Sequence, residues 1–115
     1  MHLDSIYFDY IREGIKLYDM RVFDMKRRNI KLLDEFKFVD RVNQERSFFV
    51  RIIELSYFKN FKDAIEETGI DRVLPNAKNM MEGVEIYEKF PHGEGGTFKD
   101  GADKYGVLRT KFELL

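Results

Sequence analysis

Residues 47–57 read SFFVRIIELSY, and this stretch decides the fold. It is rich in β-branched and aromatic residues, and Arg51 and Glu54 are its only charged members. Such a run packs on a pleated surface and is too short and too β-prone to be a buried helix. It therefore predicts a long strand over Ser47–Tyr57. Just upstream, Asn43–Arg46 is a polar turn. Before that turn Phe36 and Phe38 alternate with charged neighbours, which predicts a paired strand over Glu35–Val42. At the other end of the chain, Leu108, Thr110, Phe112 and Leu114 alternate with Val107, Arg109, Lys111 and Glu113. That pattern predicts a closing strand over Gly106–Leu114.

Working further outward, Lys16–Phe23 mixes apolar and polar residues as a strand does, and Asp24–Lys31 is a polar, basic loop or short helical turn. Ile6, Tyr7, Tyr10 and Ile11 recur at helical spacing over residues 5–13, with Asp4 or Ser5 placed to cap through a side-chain oxygen. Gly14 follows, at a position that favours positive φ. Phe61–Gly69, Ile70–Leu74 and Ala77–Phe90 read as a helical insert. His92–Asp103 is glycine-rich and polar, and reads as a mobile loop. The order is helix, three strands, helical insert, strand. It predicts one α+β domain over residues 1–115 with a curled sheet or small barrel, not a doubly wound sheet.

Composition agrees with a folded domain. The chain has 115 residues, 43% of them hydrophobic and 15% aromatic, which is too apolar for a disordered segment. There is no cysteine, which removes disulfides, thiolate metal sites and cysteine nucleophiles. No stretch approaches the ~20 apolar residues of a membrane helix. The opening MHLDSIYFDYIREG lacks the apolar region of a signal peptide, so the expected location is cytoplasmic, with no membrane partner. Net charge is −1, but residues 11–31 carry +4, from seven bases and three acids. A basic stretch on an acidic body is a candidate anion-facing patch, and equally an ordinary solvated surface.

Several chemistries are disfavoured locally. Gly93-Glu-Gly-Gly-Thr97 lacks the Gly-Lys-Ser/Thr ending of a phosphate loop and a strong strand before it. His2 and His92 lie far apart without neighbouring ligands at metal spacing, so no metal and no cofactor is expected. The informative segment is Gly14-x-Lys16-x-x-Asp19-x-Arg21. Lysine offers a point charge and arginine a two-pronged grip on phosphate or a base edge. Asp19 and Arg21 share a strand face because the side-chain period is two. Lys16 has opposite parity and joins them only from the turn before the strand. An edge strand with exposed charges would show the same pattern.

This segment resembles the Gly-x-Lys-x-x-Glu-x-Arg signature of ASCH domains, of the PUA-like superfamily. Three further stretches are similar to that family in order: Asp24–Lys31 to its D-x-K-R-x-x-I segment, Leu33–Phe38 to its Gly-Asp-x-Ile-x-Phe turn and strand, and Tyr105-Gly106-Val107 to its ending. Together they cover nearly the whole chain. Two departures stand out: Asp19 replaces the signature glutamate, and Leu33 replaces a glycine, which implies a different turn there.

The resemblance implies a PUA-like small β-barrel with flanking helices and a cleft suited to RNA or a nucleotide. Lys16 and Arg21 would hold phosphate or a base edge, and Asp19 would orient Arg21 or read an amine. Arg27, Arg28 and Lys31 would steer the backbone. Tyr18 or Tyr105 would stack on a base, unless they are core. One branch of the family hydrolyses acetylated cytidine with a lysine base, a threonine nucleophile and a glutamate acid. Lys16 matches that lysine, Asp19 stands at the threonine, and Glu66 or Glu67 is the candidate acid. A ribonuclease using Lys16 and Asp19 as acid and base is a further alternative.

Overall fold

The computed structural model describes residues 1–115. The elements run β1 (His2–Leu3), α1 (Ser5–Arg12), β2 (Tyr18–Val22), a 3-10 turn (Met25–Arg27), β3 (Glu35–Asp40) and β4 (Ser47–Phe58). Then come α2 (Phe61–Thr68), α3 (Ile70–Val73), α4 (Met80–Lys89), α5 (Phe98–Tyr105) and β5 (Val107–Leu114). The five strands form one mixed sheet in the order β1-β3-β4-β5-β2. β1 runs parallel to β3, and every other pair is antiparallel.

The sheet curls into a half-barrel. Its longest strand, β4, spans 12 residues and slips register against β5 between Ile52 and Glu54. One extra residue at that point bends the strand and sharpens its twist. The curl brings the two sheet edges, β1 and β2, towards each other, and an Arg21 guanidinium nitrogen donates across the gap to the His2 carbonyl at 3.3 Å. The barrel therefore keeps an open seam between its first two strands.

Two apolar clusters hold the sheet. Met20, Val22, Phe61, Ile65, Val73, Leu74, Tyr87 and Val107 pack the helical insert against β2 and β5. Leu3, Phe8, Ile11, Phe38 and Val50 pack α1 against β1, β3 and β4. Burial of such side chains stabilises the fold by roughly 1.5–3 kcal/mol each.

Four local expectations are corrected. His92–Asp103 is not simply a mobile loop, because its second half is helix α5. Thr97 starts α5 with a capping box: its side chain accepts from the Asp100 N–H, and the Asp100 carboxylate accepts from the Thr97 N–H. The glycines before it obscured that signal. α4 begins at Met80, with Asn79 as its cap, and not at Ala77. Asp4 sits at the N-cap of α1 but makes no capping hydrogen bond with its side chain. Its carboxylate turns instead towards Arg41, 3.4 Å away, and the Ser5 hydroxyl donates to Asp40.

The fourth correction concerns Leu33, which adopts φ 72°, the left-handed region a glycine would take. The turn before β3 keeps that conformation despite the leucine. A non-glycine residue there costs about 1–2 kcal/mol, and Leu33 is exposed, so it gains little from packing. Leu33→Gly is expected to raise stability by about 0.5–1 kcal/mol in urea unfolding, after the greater chain entropy of glycine is subtracted. A loss of stability would show that the turn is not strained.

Candidate functional site: a cleft at the open seam

Lys16 reaches the seam through local geometry. Gly14, at φ 76°, turns the chain back at the end of α1, so that the N–H groups of Ile15 and Lys16 both donate to the Tyr10 carbonyl. The Leu17 N–H then donates to the Arg72 carbonyl and ties the segment to α3. Strand β2 starts only at Tyr18, so Lys16 lies in the turn, as its parity requires.

From there the side chain is buried, 3% exposed. Its Nζ donates to the Val73 carbonyl at 2.6 Å and to the Tyr87 hydroxyl at 3.0 Å. The rings of Tyr7 and Tyr87 lie 5.9 and 5.6 Å from it. Burial lowers the Lys16 pKa from 10.5 to about 8, with the nearby Arg21 charge adding to the effect and Asp19 opposing it. Burial also pushes the Tyr87 hydroxyl well up, so it stays protonated.

Asp19 and Arg21 share a face, as expected, and the Arg21 Nε donates to the Asp19 carboxylate at 2.9 Å. With one bond to Asp19 and one to His2, Arg21 keeps three of its five N–H donors unused within the protein. Lys16, Asp19 and Arg21 all line one cleft of about 70 Å³. Its walls are Tyr7, Tyr87, Phe90 and Phe98, and Asp4 and Arg41 stand in its lining. A space this small admits a functional group, not a whole nucleoside, since sites for drug-sized ligands run to several hundred Å³. It adjoins a wider groove of about 670 Å³ that shares His2, Arg21, Arg41, Pro91 and Phe98 and adds Lys26 and Arg27.

The remaining candidates are dispersed. Arg27 lines the wider groove but is paired with Asp24, its NH1 at 3.2 and 3.1 Å from the two carboxylate oxygens. Arg28 lies over the rings of Phe23 and Tyr105. Lys31 is exposed and lines neither space. Tyr105 is outside both as well, and its hydroxyl donates to Glu94 at 3.0 Å. Tyr18 is core, with Arg109 over its ring. Glu67 accepts from Arg109 at 3.1 Å, in a network with Glu54, Ser56 and Thr68 that lies apart from the cleft. Glu66 is exposed and does not line the cleft either. Neither glutamate, therefore, stands in the cleft that holds Lys16.

Sequence reasoning missed Arg41 and the aromatic wall. Helical periodicity would have placed Tyr87 inward with Val84. Nothing local marks Arg41, which reaches the cleft because β1 pairs with β3 just before it. Also missed is a contact across 68 residues: His92 Nε2 lies 2.7 Å from the Asp24 carboxylate, and both are buried. Burial alone would raise the Asp24 pKa, but the hydrogen bond to His92 and the Arg27 charge outweigh it and hold it below the usual carboxylate range.

Fold and site together define a class: an α+β protein with a curled five-stranded sheet and a buried lysine in its open seam. In three dimensions the chain is similar to the hypothetical protein PH0355, known from a crystal structure. The two are 30% identical with a TM-score of 0.80, over 100% of this chain and 96% of that one. It is also similar to protein PF0455 from Pyrococcus furiosus, known from a solution NMR structure. There the identity is 28% and the TM-score 0.72, over 100% of this chain and 94% of that one. The chain belongs to the family of PH0355. No family model matches the sequence, and no curated protein does. No helix is long and apolar enough to cross a membrane.

Proposed function

We propose that this is an ASCH-type, PUA-like module that binds RNA or a nucleotide at the seam. One observation carries the reading: a buried lysine and an aspartate-anchored arginine converge on one aromatic-walled cleft. Keeping a charged lysine out of water opposes folding, so the arrangement is costly as mere architecture. The inner cleft suits the edge of a flat base, with Lys16 as donor and the aromatic rings as walls. The wider groove suits the sugar-phosphate chain, with Arg21, Arg41 and Lys26 as its cations.

The test is titration of a short single-stranded RNA and of free nucleosides, acetylated cytidine included, into wild type and Arg41→Ala. If three cations meet phosphate, log K should fall with log salt at a slope of about −2, and Arg41→Ala should flatten it by about 0.7. Binding indifferent to salt and to Arg41 would sink the reading. The role of Arg28 and Lys31 reduces to long-range steering, because neither lines the groove.

A second reading, hydrolysis of a modified nucleoside, is favoured by the Lys16 pKa of about 8. A neutral lysine accepts a proton, and this value leaves a neutral fraction near neutral pH. Against it, no serine or threonine lines the cleft, and Asp19 is engaged with Arg21. A ribonuclease would draw on the same two groups, Lys16 and Asp19. Product formation from acetylated cytidine or RNA, lost in Lys16→Ala, would replace the binding reading with one of these.

A further inference from the structure

We propose that Asp24, His92 and Glu94 form a binding site for a divalent transition-metal ion in the wider groove, independent of the Lys16 cleft. His92 Nε2 lies 2.7 Å from Asp24 Oδ2 and 4.0 Å from Glu94 Oε2, and one ligand atom from each residue lies within 4.8 Å of the others. Zinc holds nitrogen and oxygen ligands at about 2.0–2.2 Å, so neighbouring donors around it stand roughly 3.4 Å apart. Asp24 and His92, at 2.7 Å, share a hydrogen bond and would part by about 0.7 Å to admit the ion between them. Glu94 Oε2 stands about 0.6 Å too far from His92 Nε2, and its side chain is 45% exposed, with room to move inwards.

The surroundings favour coordination. The His92 ring is buried, and its Nδ1 edge packs against α5, where a Cβ on Gly101 would come within 3.1 Å. Nε2 is therefore the nitrogen turned to the two carboxylates. The loop is held by the His92 N–H donating to the Gly96 carbonyl and the Gly95 N–H donating to the His92 carbonyl, both at 3.0 Å. Each carboxylate also has an outer partner of the kind that orients metal ligands: Tyr105 donates to Glu94, and Arg27 to Asp24.

One imidazole and two carboxylates select a zinc- or manganese-like ion over magnesium or calcium, which prefer all-oxygen sites. On binding, the His92 Nε2 lone pair goes to the ion and the neutral ring carries its single proton on Nδ1, so the proton of the Nε2–Asp24 hydrogen bond is transferred to Nδ1. All three donors line the groove that also carries Arg21 and Arg41. Three protein ligands leave a coordination position open there for water or an anionic oxygen.

The experiment is calorimetric titration of tag-free full-length chain with Zn²⁺, repeated with Co²⁺ while its visible absorption is followed. One ion per chain is expected. Glu94→Gln, an exposed change that should not disturb folding, is expected to weaken binding about tenfold or more, and His92→Asn should abolish it. His2→Asn, which removes the other histidine of the groove, should leave it unchanged. Absence of stoichiometric binding, indifference to Glu94→Gln, or loss in His2→Asn would each overturn the assignment.

Discussion

Lys16→Met is expected to weaken the proposed RNA or nucleotide binding about 10- to 100-fold, the usual worth of a hydrogen bond from a charged donor. It should also change how stability depends on pH. Lys16 has a pKa of about 8 in the folded chain and 10.5 when solvated. Between those values the unfolded chain holds more protons than the folded one, so stability rises with pH. Below pH 8 the folded state carries the full cost of a buried charge, and above 10.5 the cost is gone. The shift corresponds to about 3 kcal/mol.

Methionine keeps the length and apolar body of the side chain without the charge. It also leaves the Val73 carbonyl and the Tyr87 hydroxyl without Nζ, a loss of about 1–3 kcal/mol that does not vary with pH in this range. The difference in stability between wild type and variant should therefore move by about 3 kcal/mol in favour of wild type between pH 7 and pH 10.5. Urea unfolding at several pH values checks this. Parallel pH profiles would mean that Lys16 remains solvated in the folded chain.

Phe61→Ala is expected to be the most damaging single truncation, costing about 3–5 kcal/mol. Phe61 is 1% exposed and stands between two parallel rings, Tyr87 at 5.2 Å and Phe98 at 5.8 Å. Both neighbours wall the seam cleft. Removing the middle ring leaves a cavity and frees Tyr87, whose hydroxyl fixes the Lys16 Nζ. With a total stability of about 5–15 kcal/mol, typical of such domains, the variant would fold marginally. The milder Phe61→Leu should cost less and still weaken ligand binding, because Tyr87 loses its stacked support. A lower urea midpoint with unchanged denaturant slope would show a loss of stability alone. A cost below about 1 kcal/mol for Phe61→Ala would show that the stack carries little of the core.

The two variants separate two demands on the same cluster. Phe61 and its neighbours stabilise by exclusion of water, and that exclusion is also what depresses the lysine pKa. Stability and the lowered Lys16 pKa at the seam thus share one cause, the dry aromatic packing of α2, α4 and α5 against β2.

Much of this was legible in the residues themselves. The run at 47–57 specified β4 because β-branched and aromatic side chains fit a pleat. Strand parity placed Asp19 with Arg21 and set Lys16 in the turn, and Gly14 made that turn possible. These are nearest-neighbour effects, written in spacing. The capping box at Thr97 was legible too, but the adjacent glycines outweighed it. β1, with two residues, was too short to carry any periodicity.

What only the tertiary structure decided is which distant groups meet. The seam exists because the bulged sheet curls until β1 approaches β2, and that closure brings Arg41 and the α4 and α5 aromatics around Lys16. Tertiary packing also removes Glu67 to a network around Arg109. It also joins Asp24 to His92 across 68 residues. Pairings of that range depend on sheet curvature and helix packing summed over the whole chain, and no local pattern of residue types encodes them.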